Sequence, residues 1–120
     1  MTIELKRIYD EPPTDDGYRI LVDKMWPRGV SKEDAKLDEW LKSVAPSDEL
    51  RKWFHNNRSK WDEFRKRYLS ELKEHKENLR PYADMGKQQR VVLLYSSKDT
   101  EHNNAVVLKE YLGRLGGEIE

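Results

Sequence analysis

The chain contains no cysteine. That excludes disulfides, a thiolate nucleophile and cysteine-ligated zinc, and it fits a reducing compartment. It also lacks any apolar run near the roughly 20 residues a spanning helix requires, so no membrane partner is expected. Met1-Thr2-Ile3-Glu4-Leu5-Lys6-Arg7 has no apolar signal-peptide core, and the expected location is the cytoplasm. Glycine is scarce, six in 120 residues. Gly17, Gly29 and Gly86 stand alone, so there is no glycine-rich phosphate loop. No His-x-x-x-His or Glu-x-x-His pattern occurs, and His55 and His75 are isolated; neither a metal site nor a cofactor is expected. Ser96-Ser97 lacks the context of a nucleophile elbow.

Charge of one overall sign is missing too. Lys and Arg number 23, as do Asp and Glu, for a net of +0. The balance hides an asymmetry: residues 51–80 hold ten Lys/Arg against five Asp/Glu, and residues 31–50 hold three against six. A length of 120 residues suits one domain spanning 1–120. Charged residues make up 38% and mean hydropathy is -1.04. Four Trp, six Tyr and two Phe in periodic segments nevertheless indicate a folded core.

Two apolar runs read as strands that end in polar loops. Tyr18 to Asp23 contains the continuous run Ile20-Leu21-Val22, the pattern of a strand buried on both faces, and enters Lys24-Met25-Trp26-Pro27-Arg28-Gly29. Val91 to Tyr95 enters Ser96-Ser97-Lys98-Asp99-Thr100-Glu101-His102-Asn103. Ile3 to Tyr9 alternates as a third strand, and Glu118 to Glu120 is read as an edge strand. Helical spacing predicts a helix from Ser31 through Leu37, Trp40, Leu41 and Val44 to Pro46. A second, capped by Ser47, carries Leu50, Trp53 and Phe54; the longest opens at Ser59 with Trp61, Phe64, Tyr68, Leu69 and Leu72. Pro81 to Gln89 reads as a connection. A last helix, capped by Asp99 or Thr100, buries Ala105, Leu108, Tyr111, Leu112 and Leu115 and stops at Gly116-Gly117. The expected fold is α/β: a small, mainly parallel sheet of three to four strands covered by four to five helices.

Ligands of α/β proteins bind beyond the carboxyl ends of strands. Asp23 there can act as a base or hold a cation, Lys24 and Arg28 can bind a carboxylate or phosphate, and Trp26 can stack on a flat group. In the second loop Lys98, Asp99 and Asn103 are candidate binders, and His102 is the candidate acid/base residue. The structural alternative pairs Asp23 with Arg28 or Arg19, packs Trp26 in the core and leaves His102 exposed beside a capped helix.

Gly17-Tyr-Arg-Ile-Leu-Val-Asp-Lys-Met-Trp-Pro-Arg-Gly29 resembles the signature of the YeaO-like bacterial proteins, a domain of unknown function (488). So do Leu37-Asp-Glu-Trp-Leu41, Glu49-Leu-Arg-Lys-Trp-Phe54 and Leu94-Tyr-Ser-Ser-Lys-Asp-Thr-Glu-His-Asn103. The resemblance covers nearly the whole chain. It implies a small cytoplasmic α/β domain and brings no activity with it. A larger, more distant branch carries cysteine and a His-Arg pair in the second loop. Ser96 stands in that loop here, so thiol chemistry does not carry over.

Two functional expectations follow. In the first, the loops bind a small anionic ligand: a nucleotide, sugar phosphate or carboxylate. Arg28 and Lys98 clamp its charge with Arg19, Lys24, Asp99 and Asn103 around it; Trp26 stacks, Asp23 holds Arg28, and Asp23 and His102 carry protons if chemistry follows. In the second, the basic helix 59–76 contacts nucleic acid through Arg58, Lys60, Arg65, Lys66, Arg67 and Lys73. Exposed Trp or Tyr would instead mark a protein-interaction surface. Neither the ligand nor the oligomeric state is legible in the sequence.

Overall fold

A computed structural model describes residues 2–10 and 17–117. The expected edge strand at Glu118 to Glu120 and residues 11–16 lie outside them. The elements run β1 (Ile3–Arg7), β2 (Tyr18–Leu21), α1 (Lys32–Ala35), β3 (Glu39–Trp40), a 3-10 turn (Lys42–Val44), α2 (Asp48–His55), α3 (Trp61–Glu74), α4 (Lys76–Gln88), β4 (Val91–Tyr95) and α5 (Asn104–Leu115).

The four strands form one parallel sheet in the order β1-β4-β2-β3. β1 and β2 do not pair with each other; both flank β4. Parallel strands covered on both faces need apolar residues at every position, and all five residues of β4 are buried. Alternation divides them. Val91, Leu93 and Tyr95 join Ile20 and Val22 in the large core under the helices, with Phe64, Tyr68, Leu72, Leu79 and Leu108. Val92 and Leu94 join Leu21 in a smaller core on the opposite face, where Ile8, Trp26, Leu37 and Trp40 cover them.

That second core explains the main departure from the expected helices. Helix α1 begins as anticipated, with the Ser31 hydroxyl accepting from the Asp34 N–H. It ends after one turn, because Lys36 adopts the left-handed conformation at φ 46. The chain then extends beside β2: the Asp38 N–H donates to the Arg19 carbonyl, and the Arg19 N–H donates to the Asp38 carboxylate. Leu37 and Trp40 pack on the small core, whereas Leu41 and Val44 turn to the large one. Their helical spacing therefore serves two different faces of the sheet.

Three smaller corrections concern helix ends. Pro81 lies inside α4 rather than in a connection. A proline there removes one intrahelical bond, but its ring faces solvent while Leu79 and Ala83 anchor the helix in the core. Helix α3 has Lys60 at its N-cap position with no side-chain cap bond, so Ser59 does not cap it. Helix α5 is capped by Asn103, whose Oδ1 accepts from the Val106 N–H, not by Asp99 or Thr100. Ser47 caps α2 as expected, through the Leu50 N–H.

Candidate functional site

The carboxyl ends of β1, β4 and β2 are adjacent, so the segments leaving them meet. Asp23 is the joint. Its Oδ2 accepts from the Ser96 N–H at 2.9 Å and the Ser96 hydroxyl at 2.7 Å, and its Oδ1 accepts from Asn104 Nδ2 at 3.1 Å. Asn104 also donates to the Val22 carbonyl at 3.0 Å. The loop after β2 is thereby tied to the loop after β4 and to the first turn of α5. The expectation that Asp23 holds Arg28 is not met: the carboxylate is engaged by Ser96 and Asn104.

Above this joint lies a cleft of about 1020 Å³. Its sheet side comprises Arg7, Tyr9, the segment 23–28 and Ser96-Ser97-Lys98; its helix side comprises Arg51, Lys52 and His55 of α2, Asn56 and Arg58 beyond it, and His102 to Asn104. Phe54 and Phe64, stacked at 4.3 Å, also contribute to the lining. Seven of the described lining side chains are Lys or Arg: Arg7, Lys24, Arg28, Arg51, Lys52, Arg58 and Lys98. Among the described residues, Asp23 is the one acidic member of the lining.

Several of these cations have acidic partners set just outside the lining. Arg7 pairs with Asp10 at 2.8 Å, and Lys24 and Arg51 share Asp48 at 2.8 and 3.3 Å. Those two cations hold the Asp48 carboxyl below the usual carboxylate range. Arg58 lies over the Phe54 ring and 3.9 Å from Asp99. Arg28, Lys52 and Lys98 have no ionic partner among the described residues.

The structure gathers Asp23, Lys24, Trp26, Arg28, Lys98, His102 and Asn103 around this one cleft. Two expected ligand residues are not among its lining. Arg19 is buried at the other side of β2, where its guanidinium donates to the Ala35 and Lys36 carbonyls. Burial lowers its pKa, and the neighbouring Asp38 opposes that shift. Arg19 closes α1 onto the sheet. Asp99 folds its own loop: Oδ1 accepts from the Glu101 and His102 N–H groups, which lowers its carboxyl pKa. That carboxylate occupies donors that an anion would otherwise use.

Trp26 has a role beyond lining. Its Nε1 donates to the Val30 carbonyl at 2.6 Å, and its ring meets Trp40 edge-on at 5.2 Å. This fixes the loop that presents Arg28, helped by the Tyr9 hydroxyl, which donates to the Arg28 carbonyl at 2.9 Å. The His102 ring has Nδ1 3.2 Å from Asp99 Oδ2 and an edge contact with Trp61 at 5.1 Å. Asp23 and His102 thus line one cleft but have separate partners. Sequence reasoning missed Arg7, Arg51, Lys52 and Arg58 as lining residues. They come from an edge strand, from α2 and from its exit; in sequence they look like ordinary surface charges. Among the described residues, no group of three or more His, Asp or Glu side chains is disposed to hold a metal ion, and no helix is long and apolar enough to cross a membrane.

Helix α3 does not present the expected basic stripe intact. Arg65 bonds Glu110 of α5, and Arg67 bonds Glu63 and covers the Trp53 ring. Arg58 belongs to the cleft.

Fold and cleft together define a parallel α/β protein with a cation-lined strand-end cleft. Residues 2–116 match the family model described as "Inactive DUF488-N3 subclade", and the chain belongs to that YeaO-like DUF488 family. It is 49% identical over 115 residues to the uncharacterized protein YeaO of Escherichia coli (strain K12), covering 96% of this chain and all of YeaO. It is 46% identical over 70 residues to the uncharacterized protein Rv3073c of Mycobacterium tuberculosis (strain ATCC 25618 / H37Rv), covering 58% of this chain and 59% of that one. No solved structure matches the chain.

Proposed function

We propose that the cleft binds a small anionic ligand, a nucleotide, sugar phosphate or carboxylate, and that Arg28 and Lys98 clamp its charge. The observation that carries this reading is that, among the described residues, Arg28, Lys52 and Lys98 line one cleft without an ionic partner, while its one carboxylate, Asp23, is bonded to Ser96 and Asn104. Like charges brought around one concavity repel unless an anion joins them. Partly enclosed cations also attract more strongly than fully solvated ones.

Binding without turnover fits best. The Asp23 carboxylate serves the joint between the loops, with Oδ2 accepting two bonds from Ser96 and Oδ1 one from Asn104. The family's description as inactive agrees with that assignment. The test is thermal melting of the wild type and Arg28→Ala against nucleotides, sugar phosphates and small carboxylates. A ligand at 100 times its dissociation constant stabilises by about 2.7 kcal/mol. The expected result is a raised melting point that Arg28→Ala loses without melting earlier in the absence of ligand. An anion that binds wild type and variant equally tightly overturns the clamp.

A further inference from the structure

Two large apolar side chains stand exposed among the described residues, Met25 at 63% and Tyr9 at 42%. Both line the cationic cleft. They belong to one wall, because Tyr9 bonds the Arg28 carbonyl and Met25 lies in the same loop as Arg28. Trp26, the stacking residue expected from the sequence, is partly buried against Trp40 and engaged at its indole N–H. The accessible apolar surface has therefore moved to its neighbours. An exposed apolar patch beside concentrated charge selects a ligand with an apolar body and an anionic tail.

The charge of the tail follows from the cations without ionic partners. Arg28, Lys52 and Lys98 can receive about three negative charges, more than a monocarboxylate or a phosphate monoester brings. A divalent metal on that tail would meet the same cations. Magnesium is normally held by carboxylates and phosphates together; here the one lining carboxylate among the described residues is bonded to Ser96 and Asn104. Resting on the anion-binding reading above, we propose that the ligand is a nucleoside di- or triphosphate taken up without a metal ion. Its base would lie on Met25 and Tyr9, and its phosphates among Arg28, Lys52 and Lys98.

Calorimetric titration of the whole chain with ADP, ATP, adenosine, pyrophosphate and ribose 5-phosphate tests this. ADP should bind at least tenfold more tightly than pyrophosphate or ribose 5-phosphate, and adenosine more weakly than any of them. Excess magnesium should weaken ADP binding severalfold. Met25→Ser, at an exposed position, should reduce the preference for ADP over pyrophosphate and leave pyrophosphate affinity unchanged. Pyrophosphate or ribose 5-phosphate binding as tightly as ADP overturns the nucleotide assignment and leaves the anion site standing. Magnesium that strengthens ADP binding overturns the metal-free mode. If none of these compounds binds, the nucleotide assignment fails; if small carboxylates also leave the melting point unmoved, the anion-binding reading fails with it.

Discussion

Replacing Asp23 by alanine should do more damage than its half-exposed position suggests. The carboxylate accepts three hydrogen bonds, at 2.7, 2.9 and 3.1 Å, from residues more than seventy positions away in sequence. Hydrogen bonds to a charged group contribute about 1.5–3 kcal/mol each. Water in the cleft re-solvates part of what is lost, because Asp23, Ser96 and Asn104 all line it. Each bond therefore contributes a net of about 1–1.3 kcal/mol, below that range, for a total of about 3–4 kcal/mol. That is a large share of the about 5–15 kcal/mol of a typical domain. At about 4 °C per kcal/mol for a chain of this size, the melting point should fall by ~12–16 °C. Asp23→Asn should fall between wild type and alanine, since an amide oxygen still accepts from Ser96 while its NH2 opposes that of Asn104. Thermal melting followed by circular dichroism measures both. A double-mutant cycle with Ser96→Ala isolates the shared bonds. If Asp23→Ala melts within about 4 °C of wild type, the joint does not hold the loops together.

Arg19→Ala should destabilise by about 2–4 kcal/mol, because the Ala35 and Lys36 carbonyls lose their donor, and should leave ligand affinity intact; Arg28→Ala should show the reverse pattern in the same melting and titration assays. Pro81→Ala should stabilise by about 1–3 kcal/mol, since it restores an N–H donor on the solvent face of α4; chemical denaturation would show this as a higher midpoint at unchanged slope. Tyr18, Tyr82 and Tyr68 have raised pKa values, through the Glu39 bond for Tyr18 and chiefly through burial for Tyr82 and Tyr68. A raised folded pKa contributes stability that is complete below the unfolded value, about pH 10, and is lost as pH rises beyond it. Tyrosinate absorbance should therefore rise cooperatively with alkaline unfolding rather than at the ordinary tyrosine pKa. Asp99 is shifted the other way, so its contribution is present above about pH 4 and disappears on acidification below that. Asp99→Asn should flatten that part of the stability-against-pH curve, read by melting at stepped pH.

The strands were legible where burial is two-sided. Ile20-Leu21-Val22 and Val91 to Tyr95 are apolar at successive positions, which only a covered parallel sheet requires, and both runs prove to be central strands. The segment 37–44 was misread because period alone does not say which surface a residue faces. Leu37 and Trp40 cover one side of the sheet, and Leu41 and Val44 the other. Nothing local announces the left-handed Lys36 that ends α1, since lysine has no special preference for that conformation. The caps illustrate the same limit. Asp99 and Asn103 are both good capping types, and the choice between them depends on Asp99 already folding its own loop.

The site was legible as two loops but not as a charged surface, and the reason lies in how a neutral chain segregates charge. Asp10, Asp48 and Asp99 each lie within three residues in sequence of a cation or histidine that they contact: Arg7, Arg51 and His102. In sequence they cancel. In the fold those acids are not among the lining residues while their partners are. Acids held behind cations do two things. They orient long side chains that would otherwise scatter, and they offset part of the repulsion that seven cations would impose on the empty cleft. The same arrangement leaves Arg28, Lys52 and Lys98 as the groups whose charge no described acid opposes when an anion enters. Association should accordingly slow with added salt, because screening shortens the reach of an exposed field to about 10 Å at 0.1 M. The paired cations should contribute less to that salt dependence than these three. Neutralising Lys52 or Lys98 should therefore reduce it more than neutralising Lys24, whose charge Asp48 already opposes.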